Sequence, residues 1–301
     1  MYKVENRWPH YYDSCKIEWN LGKRCNLDCT YCPSEIHDYT SPHTDINILK
    51  KTIDVISTIP NARVSLTGGE PCVHPKILEL LYYLRKKVGW INLTTNATRS
   101  HEFYLELPVD HIVFSLHFEH PKWETRLNNI IKFVRDNRNS TDAPNIKYHI
   151  NIMAHHDYMS RARNAVETLS FFKANYTVRR IRWTEKHDWF DDLKYKPEDL
   201  QWLIDTETTA DFNTLIDSRT LTHTNDLLKE NKNKFEGWSC RAGIESLMIN
   251  WDGDVHRATC RVGGSLGNIY NGTFDIPTEP ITCTRKWCTC AADVNITKWK
   301  K

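Results

Sequence analysis

The chain lacks a run of about 18 apolar residues, so no membrane-spanning helix is expected. Its first residues, MYKVENRWPHYYDS, lack a basic stretch followed by an apolar one, so there is no export signal, and a cytoplasmic protein is expected. Charge is nearly balanced, at +2 with 40 Lys and Arg against 38 Asp and Glu. That balance neither demands nor excludes a nucleic-acid partner. Internal repeats and low-complexity segments are missing as well, which sets aside solenoids and disordered linkers. No spare N-terminal segment of about 80 residues is left over for a separate leader-peptide-binding domain. What the chain does have is 301 residues, enough for one large α/β domain or a domain with an appendage, and ten cysteines.

A disulfide framework would suit a small secreted chain, which this is not, so thiolate metal sites are the better reading. Eight cysteines fall in two groups: Cys25, Cys29 and Cys32 near the start, and Cys240, Cys260, Cys283, Cys288 and Cys290 near the end. Two separate sites follow.

From Lys16 to about Trp183, short β-branched runs alternate with longer amphipathic ones. KIEWNL, RVSLT, WINLTTN, HIVFSLHF, YHINIM and VRRIRW read as strands. The segments between them, INILKKTIDVIST, PKILELLYYLRKKV, PKWETRLNNIIKFVRDN and SRARNAVETLSFFKAN, have apolar residues at three and four spacing and read as helices. Pro75 and Pro121 stand where a first-turn proline is tolerated. Such alternation predicts an α/β fold with parallel strands and right-handed crossovers, a partial (β/α)6 TIM-like barrel whose chemistry lies at the C-terminal strand ends. After Trp183 the rhythm breaks. ESLMINWDGDVHRAT reads as a hairpin turning at Asp252 and Gly253, and the loop-rich tail has too little apolar sequence to build its own core without a metal. We place the boundary near residue 190, giving a barrel over 1–190 and a small cysteine-rich hairpin domain over 191–301.

CNLDCTYCP puts three thiols in a CxxxCxxC loop directly after a strand, and three thiolates on a cubane cluster leave one iron open. Zinc would need a fourth protein ligand nearby. Cys25, Cys29 and Cys32 resemble the signature of radical S-adenosylmethionine (SAM) enzymes, with Tyr31 at the family's common aromatic position. The resemblance implies a [4Fe-4S] cluster whose open iron binds the amino and carboxylate groups of SAM. LTGGEP, Leu66 to Pro71, resembles the family's GGEP motif, which implies that the backbone of Gly68, Gly69 and Pro71 together with Glu70 receives the methionyl ammonium. There a glycine lets the backbone come close to the ligand. By the same resemblance, Asn96 in TTNAT is a candidate ribose contact, Ser115 and His117 in FSLHF lie beside SAM, and Asn151 is a further ribose or carboxylate candidate. Read singly, Glu70 is also an ordinary helix-start acid, Asn96 and Ser115 are also turn or capping residues, and His117 is also a packed histidine.

CRAGIESLMINWDGDV followed by LGNIYNG resembles the family's SPASM or twitch auxiliary-cluster extension, although six residues, where the family has about four, separate Gly253 from Cys260. One auxiliary [4Fe-4S] cluster on four of Cys240, Cys260, Cys283, Cys288 and Cys290 is implied, with Cys240 and Cys260 the firmer pair and structural zinc as the alternative. Cys15 and Cys72 could donate a hydrogen atom to a substrate radical or pack as small hydrophobes. Arg161, Arg163, Arg179, Arg180 and Arg182 would suit a phosphate or carboxylate if they face the barrel mouth. Trp183, Trp189 and Trp202 could stack a base or line a groove, or simply pack. The expected activity is reductive cleavage of SAM and hydrogen abstraction from a nucleotide-like or other small substrate, ahead of a peptide, with a flavodoxin or ferredoxin as electron donor. The alternative is a non-catalytic iron-sulfur electron carrier or a zinc-stapled binding protein.

Overall fold

The structure is a computed structural model and describes residues 3–6, 14–140, 145–181, 194–206, 213–216, 220–223, 232–288 and 290–300. Arg182, Trp183 and Trp189 lie outside the described residues.

A first short strand, β1 (Lys3–Asn6), belongs to a second sheet described below. The main sheet then runs β2 (Cys15–Asn20), β3 (Ala62–Thr67), β4 (Trp90–Thr95), β5 (His111–Leu116), β6 (Lys147–Ala154) and β7 (Tyr176–Arg180), each parallel to the one before. The connections carry α1 (Ile46–Ile56), α2 (Ile77–Arg85), α3 (His101–Leu105), α4 (Trp123–Asn139) and α5 (Met159–Phe171). All six expected strands and four expected helices are present; α3 is the helix the sequence reading missed, because five residues are too few for a readable period.

Each helix buries the stripe its spacing dictates: Leu49, Ile53 and Ile56 in α1, Leu80, Leu81 and Leu84 in α2, and Leu127, Ile130, Phe133 and Val134 in α4. Asp45 caps α1 by accepting the Asn47 amide at 2.8 Å. Alternate strand residues, among them Ile17, Trp19, Val64, Leu66, Ile91, Leu93, Ile112, Phe114, Ile150 and Ile152, join that helical layer in one core. The intervening positions are polar and only half-buried: Lys16 and Glu18, Ser65 and Thr67, Asn92 and Thr94, Ser115, Asn151. Period two therefore gives the sheet a dry helix side and a wet opposite face.

Among the described residues the barrel is open. Beside β2 the sheet continues through β11 (Ser246–Ile249), which runs parallel to it, and then through β12 (Asp254–His256) and β13 (Ser265–Asn268), both paired antiparallel. The expected hairpin at Asp252 and Gly253 joins β11 to β12 and so extends the barrel sheet itself. After α6 (Pro197–Thr206) come β8 (Asn213–Ile216), β9 (Thr220–His223) and β10 (Ser239–Cys240), with β14 (Ile281–Thr282), the short α7 (Ala291–Val294) and β15 (Lys298–Trp299) at the end. A second sheet of order β14-β10-β15-β1-β8-β9 uses these strands and β1, so an N-terminal strand sits inside a sheet of C-terminal ones. No helix of the described residues is long and apolar enough to cross a membrane.

Candidate functional site

The loop from residue 21 to 44, between β2 and α1, carries Cys25, Cys29 and Cys32 at the C-terminal edge of the sheet. The Cys25 amide donates to Asp38 O at 2.8 Å, and the Asp38 amide to Lys23 O at 2.9 Å. Asp38 in turn accepts the Ser41 hydroxyl and amide and the Thr40 amide, bonds that hold its carboxyl down at about 2. The loop after β3 docks beneath: the Gly69 amide donates to Ile36 O at 3.2 Å and the Glu70 amide to Arg24 O at 2.9 Å.

That docking explains the glycines differently from the sequence reading. Gly69 has φ +44, and a Cβ there would lie 2.3 Å from Arg24 O; a Cβ on Gly68 would lie 2.6 Å from Asn20 Cβ. Glycine at these two positions lets the chain's own cysteine loop come close.

Glu70 is 3% exposed. It accepts the Cys72 amide at 2.9 Å, the Thr95 hydroxyl at 2.8 Å and the Asn96 amide at 2.6 Å, clamping the β3 loop to the end of β4. Burial nevertheless pushes its carboxyl pKa up. Pro71 opens the one-turn helix that follows, with Glu70 as its cap. The Asn96 side chain reaches the thiol loop: its Nδ2 donates to Asn26 Oδ1 at 2.8 Å and contacts Cys25 Sγ at 3.8 Å, while its Oδ1 accepts the Thr98 hydroxyl at 2.7 Å. These bonds make it a tether of Cys25.

From the β5 side, two residues that sequence reasoning missed hold the same loop, and a third, Arg126, braces the segment that carries them. Glu119 accepts the Thr30 amide at 2.9 Å and the Thr30 hydroxyl at 2.5 Å. His120 Nε2 accepts the Asp28 amide at 3.1 Å and lies 3.7 Å from Cys29 Sγ. Ligand atoms of Cys29, Glu119 and His120 come within 4.8 Å of one another, yet Glu119 and His120 are already engaged by backbone amides, which favours their role as loop anchors. Arg126, 4% exposed, donates to His117 O at 2.8 Å and Pro121 O at 3.2 Å. No pattern in the sequence signals Glu119 and His120, because their partners come from another loop, and no short motif marks Arg126.

Tyr31 bonds through its hydroxyl to His117 Nδ1, the rings 5.9 Å apart. Burial pushes the His117 pKa down to about 3, which favours the neutral ring, and the Tyr31 hydroxyl also bonds Cys29. Ser115 and Asn151 are in register on the half-buried face of β5 and β6, and Asn151 Oδ1 accepts Arg179 Nε at 3.2 Å. Of the other candidate anion binders, Arg163 is taken by Asp199 at 2.8 Å and lies over Trp202, and Arg161 donates to Phe118 O at 2.6 Å. Arg180 ends β7 half-buried. Cys15 and Cys72, 4% and 2% exposed, belong to the main core; Cys15 lies at the opposite end of β2 from the thiol loop, whereas the Cys72 amide donates to the Glu70 carboxylate at 2.9 Å.

Cys25, Cys29 and Cys32 lie in one another's field, and burial raises all three, Cys29 to about 12 and Cys32 to about 11. A set of three thiols, one buried and two half-buried and all costly to ionise without a cation, fits a cluster that binds them as thiolates and releases their protons.

The C-terminal thiols divide four and one. Cys240 lies in the field of Cys283, Cys260 in that of Cys240 and Cys283, and Cys288 in that of Cys260 and Cys240. Apolar walls surround them: Val4, Phe235, Trp238 and Val294 around Cys283 and Cys288, and Ala242, Ala258, Val262 and Ile296 around Cys240. The loops that bring them together are pinned by Cys283 N to Trp238 O and Cys288 N to Asn233 O, both 2.8 Å, and by Cys260 N to Asp293 Oδ2, 2.7 Å. Cys290 is not in the field of the other four. Its charged neighbours are Asp293, Glu18 and Lys16, the last two on the polar face of β2, and burial pushes it up to about 11.

Fold and site together define a partial barrel with a three-thiol loop at its catalytic end. Residues 19–144 match the family described as the Radical SAM superfamily. The antilisterial bacteriocin subtilosin biosynthesis protein AlbA of Bacillus subtilis is 35% identical over 89 residues, 30% of this chain and 20% of AlbA. A probable GTP 3',8-cyclase of Pyrococcus horikoshii is 35% identical over 79 residues, 26% of each chain. The matched stretch thus spans only a fifth to a quarter of these curated relatives. Among solved structures, native anSMEcpe with bound AdoMet and Kp18Cys peptide superposes with TM-score 0.55 at 16% identity, covering 86% of this chain and 79% of that one. Streptococcus suis SuiB bound to precursor peptide SuiA gives TM-score 0.54 at 16% identity, covering 88% and 65%. These structural likenesses establish the fold as that of radical SAM partial barrels.

Proposed function

We propose that the protein is a radical SAM enzyme that cleaves SAM reductively and abstracts hydrogen from a carbon of an organic substrate. One observation carries the reading: Glu70, Asn96 and Glu119, from the ends of three successive strands, converge on the loop that carries Cys25, Cys29 and Cys32. When bound, the [4Fe-4S] cluster and SAM supply a 5'-deoxyadenosyl radical.

The chain's own residues position and protect. Cys25, Cys29 and Cys32 would hold the cluster, and the backbone of Gly68 to Pro71 would receive the methionyl group of SAM. Asn96, already committed to Asn26 and Thr98, keeps Cys25 in place, and the ribose contact falls to Ser115 and Asn151. With Oδ1 of Asn151 taken by Arg179, its amide nitrogen remains to donate. The Tyr31–His117 pair closes one side of the site and limits water.

We further propose one auxiliary [4Fe-4S] cluster on Cys240, Cys260, Cys283 and Cys288, a SPASM- or twitch-like domain over 191–301, and a flavodoxin or ferredoxin as electron donor in a reducing cytoplasm. The polar sheet face, with Asn151, Arg179 and Ser115, supports a small polar or nucleotide-like substrate. A peptide is the second reading, favoured by the peptides bound in the anSMEcpe and SuiB structures.

Anaerobically reconstituted protein given SAM and dithionite should form 5'-deoxyadenosine, and Cys29→Ala should not. An iron-loaded wild type that forms none would instead be an electron carrier, and zinc in place of iron would indicate a stapled binding protein.

A further inference from the structure

Lys298 is 1% exposed, a rare state for a lysine. Its Nζ donates to two neutral acceptors, Asp293 O at 2.8 Å and Val294 O at 2.9 Å, and stands 4.8 Å from the centre of the Phe235 ring. Among the described residues no carboxylate forms an ion pair with it. Asp293, whose charged form Lys298 favours, uses Oδ2 to accept the Cys260 amide, and burial, the larger effect, works against its ionisation. An ammonium with three donors has thus been taken out of water with two carbonyls and an aromatic face for company, an arrangement that is costly unless an anion sits nearby.

The missing negative charge has an address. Lys298 is the direct cross-strand partner of Cys240 in the β10–β15 pair, so the two side chains share a face of the sheet. Its charge also acts on Cys288. Four thiolates on a [4Fe-4S] core carry two net negative charges when the cluster is oxidised and three when it is reduced. The first thiol set has the same device: Arg126, buried and bonded to carbonyl oxygens, lies in the field of Cys29.

We propose that Lys298 is the built-in counter-charge of the auxiliary cluster and sets its reduction potential. The inference rests on the assignment of that cluster to Cys240, Cys260, Cys283 and Cys288. A fixed positive charge in a dry site stabilises the more negative, reduced state more than the oxidised one. Losing it lowers the potential and makes the cluster harder to reduce.

The test uses the full-length chain with Cys25, Cys29 and Cys32 all changed to alanine, so that the auxiliary site alone can hold iron. Iron and sulfide analysis comes first; zinc, or no metal, in this protein would sink the cluster assignment itself, independently of Lys298. With iron present, an electron paramagnetic resonance redox titration compares Lys298 with Lys298→Met, Lys298→Gln and Lys298→Arg. Both neutral variants are expected to show at least a tenfold lower ratio of reduced to oxidised cluster at the wild-type midpoint, about 59 mV for a one-electron couple. Lys298→Arg should stay near the wild type. If Lys298→Met fails to fold, Lys298→Gln, which keeps a donor for the two carbonyls, carries the comparison. An unchanged midpoint in the neutral variants, or an equal fall in Lys298→Arg, would overturn the proposal, the latter because packing and not charge would then be responsible.

Discussion

At Gly69 the sequence motif and the structure assign the same residue different physical work. The motif suggests room for a ligand; the coordinates put the carbonyl oxygens of Lys23 and Arg24 where a side chain would be. Gly69→Ala should therefore act before any ligand arrives. A strained φ of +44 and a clash with backbone predict a loss of about 2 kcal/mol or more of stability. Thermal unfolding of metal-free protein checks this, and an undiminished midpoint would restore the ligand-contact reading. Glu70, Asn96 and the thiols were legible because they belong to short local motifs. Glu119 and His120 were not, since each is an unremarkable residue type whose partners lie on a distant loop; Arg126 and Lys298 bond carbonyls in their own stretch of chain, where no short motif marks them. Cys290 fell between the two: its spacing allowed it as a ligand, while its charged neighbours are Asp293, Glu18 and Lys16 and none of the other four thiols.

Among the elements, the six barrel strands were readable because their dry side is a continuous β-branched and leucine pattern. Their polar side is where register matters. β4 and β5 place Asn92 opposite His111, and Asn92 Oδ1 accepts from His111 Nδ1 at 2.6 Å. Burial, with help from the nearby charges of His149 and Lys147, pushes the His111 pKa down from 6.5 to about 4. Between those values the unfolded chain holds a proton that the folded one refuses. The contribution is present above pH 6.5 and is lost as the pH falls toward 4, at up to about 1.4 kcal/mol per pH unit. Going from pH 7 to pH 5, the wild type should lose about 2 kcal/mol more of its unfolding free energy than His111→Gln. Urea titrations at the two pH values measure it. Equal losses would mean that His111 titrates normally in the fold.

For the whole molecule, the division near residue 190 captures a change of rhythm but not the way the chain is tied together. β11 extends the barrel sheet through β2, and β1 crosses to the other sheet, between β15 and β8. Periodicity within a window cannot reveal a strand whose partners lie at the far end of the chain, and four-residue β1 offers no period to read. Its consequence is specific. Val4, 1% exposed, packs with Phe235, Cys283 and Cys288, so an N-terminal side chain forms part of the wall around the C-terminal thiols. Val4→Asp would bury a carboxylate there, beside the proposed auxiliary cluster, which would itself be negative, and the carboxylate could escape only by opening β1 away from β15. The SAM-cluster loop is built from β2 to β5 and has no part in that wall. Reconstituted Val4→Asp is therefore expected to lose about half its iron, to retain the Cys25, Cys29 and Cys32 cluster, and still to show the spectroscopic response of that cluster to SAM. Full iron content in the variant would mean that the thiol module closes without β1, and loss of both clusters would mean that the two sheets form as a single cooperative unit.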